Sequence, residues 1–74
     1  SPETAVVLER GAPLRVLPAE SAREVECRLY PGEPVRIVES RDDGWRRIRG
    51  EGGEGWVRHH CVAYLWGNDR IELP

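Results

Sequence analysis

The segment from Leu29 to Val62 constrains the fold more than any other part of the chain. It reads as three short strands separated by turns, and Gly44-Trp45 and Gly55-Trp56 open the second and third of these strands. Apolar and polar residues alternate along the strands, which is the period-two pattern of a sheet with one buried face. Short, evenly spaced strands with turn signals between them predict a small all-β barrel.

Turn-forming residues delimit these strands. Pro31-Gly32-Glu33-Pro34 and Arg41-Asp42-Asp43-Gly44 are strong turn signals, and Asp-Gly is a favoured hairpin pair. Further apolar stretches predict strands over residues 5–8, 14–17, 25–29 and 62–66. Between them we expect a loop over 18–24, a glycine-rich connector over 50–55, a tight turn or short 3₁₀ piece over 58–61, a turn over 67–69 and a tail over 71–74.

A chain of 74 residues has room for one domain, which we assign to residues 1–74 with a core over about 5–66. So short a chain buries only about 60% of its unfolded surface, so its stability is marginal. The chain starts at Ser1 without an initiator Met, and we expect it to be part of a longer protein. Its apolar runs are far shorter than the roughly 18 residues that a spanning helix needs, which predicts no membrane insertion.

The charge of the chain limits the kinds of ligand it can bind, and its cysteine content limits its possible disulfides. The formal net charge is −2, with 13 acidic residues against 11 basic ones, all of them Arg. An acidic balance argues against a nucleic-acid ligand, because phosphate binding needs a basic excess. Cys27 and Cys61 permit one disulfide, which would stabilise the chain by about 3–4 kcal/mol. Two reduced, buried cysteines are the alternative, and the sequence leaves both open.

The strand that follows the Asp-Gly turn supplies the main candidate ligand-binding residues. If Ile48 is buried, Trp45, Arg47 and Arg49 share the opposite face of the strand. A half-exposed Trp beside Arg is a favourable binding surface, because both residue types dominate binding hot spots. Alternatively, Arg47 merely covers Trp45 by stacking on its ring.

Two further aromatic residues are candidates for a ligand surface or for the core. Tyr30 precedes the Pro-Gly turn and should be partly exposed, either to bind a ligand or to cover the barrel edge. Trp56 is expected in the core, where its truncation to Ala would cost about 3–5 kcal/mol. We predict no catalytic residue, no metal and no cofactor. The adjacent His59, His60 and Cys61 can neither surround one ion nor align as a nucleophile and its base.

Three ordered motifs resemble the bacterial SH3-like domain family. They are Leu29-x-x-Gly32-x-x-Val35-x-Ile37, Gly44-Trp45-x-x-Ile48 and Gly55-Trp56-Val57, within a resemblance that covers about Leu14 to Val62. The resemblance implies a partly open barrel of five to six strands in two nearly orthogonal sheets, acting as a non-catalytic binding or targeting module. It further implies an envelope protein, periplasmic or extracellular, that recognises cell-wall peptide. Protein–protein or intramolecular docking in a multidomain protein is the alternative. Oligomeric state is left open.

Under the hypothesis of cell-wall recognition, Arg47 is the candidate partner of a stem-peptide carboxylate, because a guanidinium group binds carboxylates in bidentate fashion. The family's second strand usually ends in Arg before a glycine turn, whereas this chain has Leu17 and Pro18 there. Asp42-Asp43-Gly44-Trp45 also resembles the acidic loop and ligand-stacking Trp of eukaryotic SH3 domains. A polyproline groove is not expected, because no Tyr precedes Tyr30 and Cys61 stands where the closing Tyr would be.

Overall fold

The computed structural model describes the backbone of residues 4–8, 12–66 and 70–72. The side chains of residues 12, 27, 28, 65, 66 and 70–72 lie outside the description. The described strands are β1 (Thr4–Val7), β2 (Ala12–Arg15), β3 (Glu24–Leu29), β4 (Pro34–Ser40), β5 (Trp45–Gly50), β6 (Gly53–Arg58), β7 (Val62–Trp66) and β8 (Arg70–Glu72). A 3₁₀ turn, η1 (His59–Cys61), joins β6 to β7, as the sequence predicted.

All described strands belong to one antiparallel sheet in the order β3-β2-β6-β5-β4-β1-β7-β8. The all-β, SH3-like class is confirmed, with eight strands among the described residues rather than the expected five to six. The number is larger because β1 pairs with both β4 and β7, and β7 pairs in turn with β8. The expected tail over 71–74 is wrong in its first part, since Ile71 pairs with Leu65. The expected turn over 67–69 lies outside the described residues.

Alternate residues of the strands fill a single core. Ile48 and Val57 project into it from the central hairpin of the sheet, and Leu14 and Leu29 from the pair β2–β3. The core cluster of buried residues comprises Ala5, Val7, Leu14, Leu29, Val35, Ile48, Val57, Cys61 and Val62. Val25, Ile37 and Tyr64 pack against it. Residues that are distant in sequence therefore contribute to the same apolar interior.

Strand β2 ends earlier than its apolar residues suggest. The sequence predicted a strand over 14–17, but β2 stops at Arg15, and Val16 and Leu17 are exposed in the following loop. There the amide of Val16 donates to the carbonyl of Arg23 at 2.9 Å. The apolar character of these two residues is therefore not a sign of core packing.

The glycine-rich connector is shorter than predicted. Strand pairing continues to Gly50 and Gly53, so only Glu51 and Gly52 form the turn between β5 and β6. Gly55 lies within the paired strand β6, at a point where β2 and β3 come close to it. A Cβ atom at Gly55 would lie 3.0 Å from the carbonyl oxygen of Arg15. The glycine serves close packing of strands here, not loop flexibility.

The structure describes the side chain of only one of the two cysteines, Cys61. Cys61 is buried in the core, whereas the side chain of Cys27 lies outside the description. The Cys27–Cys61 disulfide therefore stays a prediction from the sequence. Within the described part of the chain, no helix has the length and apolar character needed to cross a membrane.

Candidate functional site

The register of the β5–β6 hairpin brings the predicted Trp and Arg residues into cross-strand pairs. Trp45 pairs with Arg58, Arg47 with Trp56, and Arg49 with Glu54. Directly opposite residues have side chains on the same face and close together. The three pairs therefore form one outer surface, on the side of the sheet opposite Ile48.

Trp45 is not half-exposed as the sequence analysis expected. It is only 5% exposed, and the guanidinium of Arg58 lies 5.2 Å from its ring centroid, within the range of a cation–π contact. The covering residue is Arg58 rather than Arg47, because Arg58 is directly opposite Trp45 in the register. A buried ring is not available to stack on a ligand, which also removes the feature that resembled eukaryotic SH3 domains.

Trp56 is buried but does not lie in the core cluster. It is 9% exposed, and Arg47 covers it from 5.9 Å above the ring centroid. Its pairing with Arg47 places it on the outer face, while its neighbour Val57 points into the core. The expected burial of Trp56 is confirmed, and its ring lies on the outer face of β6 rather than in the main cluster.

The predicted carboxylate-binding arginines already have carboxylate partners. Arg47 donates to Glu54 at 2.8 Å and to Glu39 at 3.3 Å, and Arg49 donates to the other oxygen of Glu54 at 2.8 Å. Hydrogen bonds from Arg49 and Arg47 hold the pKa of the Glu54 carboxyl below its usual range. A ligand carboxylate would have to displace Glu54 to reach either guanidinium. The outer face of β5–β6 thus carries little free positive charge.

Tyr30 lies elsewhere, on an open groove. It is 68% exposed and stands between β3 and the Pro-Gly turn, as predicted. The groove has a volume of about 630 Å³ and lies between this turn and the Glu51-Gly52 turn. Its described lining residues are Tyr30, Pro31, Gly32, Glu33, Pro34, Glu51 and Gly52. Among them are one exposed aromatic ring, two prolines and two carboxylates, and no basic side chain.

Hydrogen bonds fix the wall of this groove that carries Tyr30. The amide of Gly32 donates to the carbonyl of Val7 at 2.7 Å, and the amide of Val7 donates to the carbonyl of Glu33 at 3.1 Å. Gly32 has a φ of +80°, which the tight turn requires and which glycine adopts without steric cost. The turn is therefore held against β1 rather than projecting freely.

The side chain of Glu33 is also held in place. Its Oε1 accepts a hydrogen bond from the amide of Tyr30 at 3.0 Å. Its Oε2 lies toward β5, only 2.8 Å from where a Cβ atom at Gly50 would stand. In the part of the chain that the structure describes, no hydrogen bond uses this Oε2. One oxygen of this groove-lining carboxylate therefore has no hydrogen-bond partner among the described residues.

A second, smaller concavity of about 420 Å³ lies at the hairpin turn of Ser40 to Asp43. Two of its lining residues form an ion pair, since two guanidinium nitrogens of Arg41 donate to the Asp43 carboxylate, with 2.8 Å as the shortest distance. Hydrogen bonding from Arg41 lowers the pKa of Asp43. Among the described residues, no group of three or more His, Cys, Asp and Glu side chains is placed to hold a metal ion.

The four predicted site residues thus fall on two separate surfaces. Arg47 and Arg49 meet through Glu54, with Trp45 buried near them, whereas no described contact joins Tyr30 to any of the three. The sequence analysis did not single out Glu33 and Glu51. Both residues lie in turns next to strands that the sequence predicts, which was the available signal. The two turns meet, however, only because β4 pairs with β5.

Comparison with known families supports this architecture. A family model described as the bacterial SH3 domain matches residues 9–67, which is most of the chain. No curated protein and no solved structure matches the chain significantly.

Proposed function

Because the chain belongs to the bacterial SH3 domain family, we propose that it is a binding module that recognises cell-wall peptide through the Tyr30 groove. Domains of this family are generally binding modules rather than enzymes, which agrees with the non-catalytic role expected from the sequence. The cell-wall ligand and an envelope location are parts of the proposal. They rest on what the family resemblance implies together with the geometry of the groove.

The observation that carries the proposal is the exposed ring of Tyr30 in a fixed concave surface. An aromatic side chain that is 68% exposed gains little from packing in the free domain, so its burial by a ligand would be favourable. Pro31 and Pro34 add rigid apolar walls, and the groove of about 630 Å³ accommodates a few peptide residues. The Arg47 surface supports a binding role less well, because Glu54 and Glu39 already occupy its guanidinium groups.

The test is an amide chemical-shift titration of the ¹⁵N-labelled domain with soluble peptidoglycan fragments. We expect the amides of Tyr30, Gly32 and Gly52 to shift, and we expect Tyr30→Ala to weaken binding while Arg49→Ala leaves it unchanged. Shifts confined to Arg47 and Arg49 would instead support the surface first predicted from the sequence. Absence of any shift at millimolar ligand would contradict cell-wall recognition.

Docking to another protein or to another part of the same protein is the second candidate. It is favoured by the loop after β2, where Val16 and Leu17 expose apolar side chains and Leu17 is 61% exposed. Exposed aliphatic residues of this kind gain from burial at a protein interface. If the peptidoglycan titration fails, a protein that binds the domain should bind the Leu17→Ser variant more weakly than the wild type in the same titration.

A further inference from the structure

We propose that the Tyr30 groove selects ligands with a primary ammonium group, such as the free amine of a diamino acid in a peptide. This inference rests on the proposed function of the same groove and specifies which chemical group it recognises. It reverses the polarity expected from the sequence, in which Arg47 was to hold a ligand carboxylate. The inference is supported by the charge complementarity between the groove and an ammonium group.

The carboxylate of Glu33 is held in a fixed position. Its Oε1 is engaged by the Tyr30 amide at 3.0 Å, so the side chain is already ordered before a ligand binds. The other oxygen lies against Gly50, 2.8 Å from where a Cβ atom would stand, and accepts no hydrogen bond from a described residue. An ammonium group would bond this oxygen without the loss of side-chain freedom that weakens most surface ion pairs.

An aromatic ring and a second carboxylate also line the groove. Tyr30 offers an exposed ring, and ammonium groups are attracted to the faces of such rings. Glu51 stands on the second turn and supplies another negative charge at the groove. Two carboxylates and one ring among the lining residues make the groove attractive to a cation, and no described lining residue is basic.

Outside the groove, several arginines are paired with carboxylates. The outer face of β5–β6 has its cations matched by Glu54 and Glu39, and Arg41 is matched by Asp43. In contrast, neither Glu33 nor Glu51 takes part in an ion pair among the described residues. The groove is therefore a place where negative charge and an exposed aromatic ring coincide without internal neutralisation.

The experiment compares two synthetic peptides with the peptidoglycan fragments. The peptides are acetyl-Ala-Lys-Ala-amide and the same peptide with an acetylated lysine side chain, and the fragments are used before and after acetylation of their amines. We expect acetylation to weaken binding to the Tyr30 groove at least about fivefold in both cases. We expect Glu51→Gln to weaken binding of the lysine peptide about threefold.

The matched control is Asp42→Asn, which removes one negative charge at the other end of β4, about 20 Å from the groove. It should leave the affinity for the lysine peptide unchanged, and the amide spectra of both variants should show an intact fold. Equal weakening by Asp42→Asn and Glu51→Gln would mean that net charge alone matters, and it would overturn the inference.

The remaining outcomes separate this inference from the proposed function. Binding of the lysine peptide without binding of peptidoglycan fragments would support amine recognition and overturn cell-wall recognition. Binding of the fragments that acetylation does not change would support cell-wall recognition and overturn amine selection. Groove amides that respond to neither ligand would overturn both.

Discussion

At the scale of single residues, cross-strand position decides what each arginine does. Arg58 covers Trp45 and Arg47 covers Trp56, because these residues face each other directly across the β5–β6 hairpin. The sequence analysis paired Arg47 with Trp45 along one strand, where the two side chains share a face but are two residues apart. Covering of the indole rings by guanidinium groups makes both Trp residues structural.

The Glu54 carboxylate links Arg47 and Arg49, and its lowered pKa makes the link dependent on pH. A carboxyl group with a lowered folded-state pKa stabilises the fold above its unfolded pKa, and this stability is lost as the pH falls through the folded value. We therefore expect the melting temperature of the wild type to exceed that of Glu54→Gln at pH 6. The difference should shrink as the pH falls below about 4.

Thermal melts followed by circular dichroism between pH 6 and pH 3 measure this difference. Glu26→Gln is the control, since Glu26 is exposed and forms no described ion pair. Its melting temperature should differ from that of the wild type by a small amount that does not change with pH in the same way. A gap between wild type and Glu54→Gln that stays constant over the whole range would contradict the assigned role of Glu54.

At the scale of elements, close approach of strands explains why the glycine-rich segment is paired rather than a long loop. Gly50 and Gly53 pair with each other across a turn of only two residues. Gly55 then lies under β2 and β3, within 3.0 Å to 3.2 Å of Arg15, Leu14 and Val25 when a Cβ atom is added. β2 and β3 can approach β6 this closely here only because Gly55 lacks a side chain.

We expect Gly55→Ala to destabilise the domain by about 1–3 kcal/mol, the usual cost of overpacking an ordered interior. The comparison is Gly32→Ala, where φ is +80° and nothing lies within 4 Å of an added Cβ atom. That variant should show only the backbone strain of a left-handed residue, about 1 kcal/mol. Urea denaturation measures both, and a Gly55→Ala variant as stable as the wild type would show that β2 and β3 lie farther from β6.

At the scale of the whole molecule, one small core carries the stability. It gathers residues from β1 to β7 into a single cluster, and the described residues contain no buried side-chain nitrogen or oxygen without a hydrogen-bond partner. Small domains have total stabilities near the lower end of about 5–15 kcal/mol. The loss of one well-packed core side chain is therefore a large fraction of the total.

Leu14 and Leu17 provide a matched pair for this point, since they are identical residues of which one is fully buried and the other 61% exposed. We expect Leu14→Ala to destabilise by about 2–5 kcal/mol, a large part of the total stability of so small a domain. Leu17→Ala should change the stability by less than about 0.5 kcal/mol. Equal urea midpoints for the two variants would contradict the burial that separates them.

The sequence by itself determined the class of fold, the succession of strands along the chain through β7, and the turns at Pro31-Gly32 and Asp43-Gly44. These follow from local properties: alternation of apolar residues, turn chemistry at Pro31-Gly32 and Asp43-Gly44, and an ordered set of family motifs. Tertiary structure alone decided the charge partners of Arg47, the burial of Trp45 and the meeting of Glu51 with Tyr30 in one groove. Each of these depends on register between strands, and a shift of one residue reverses which face a side chain occupies.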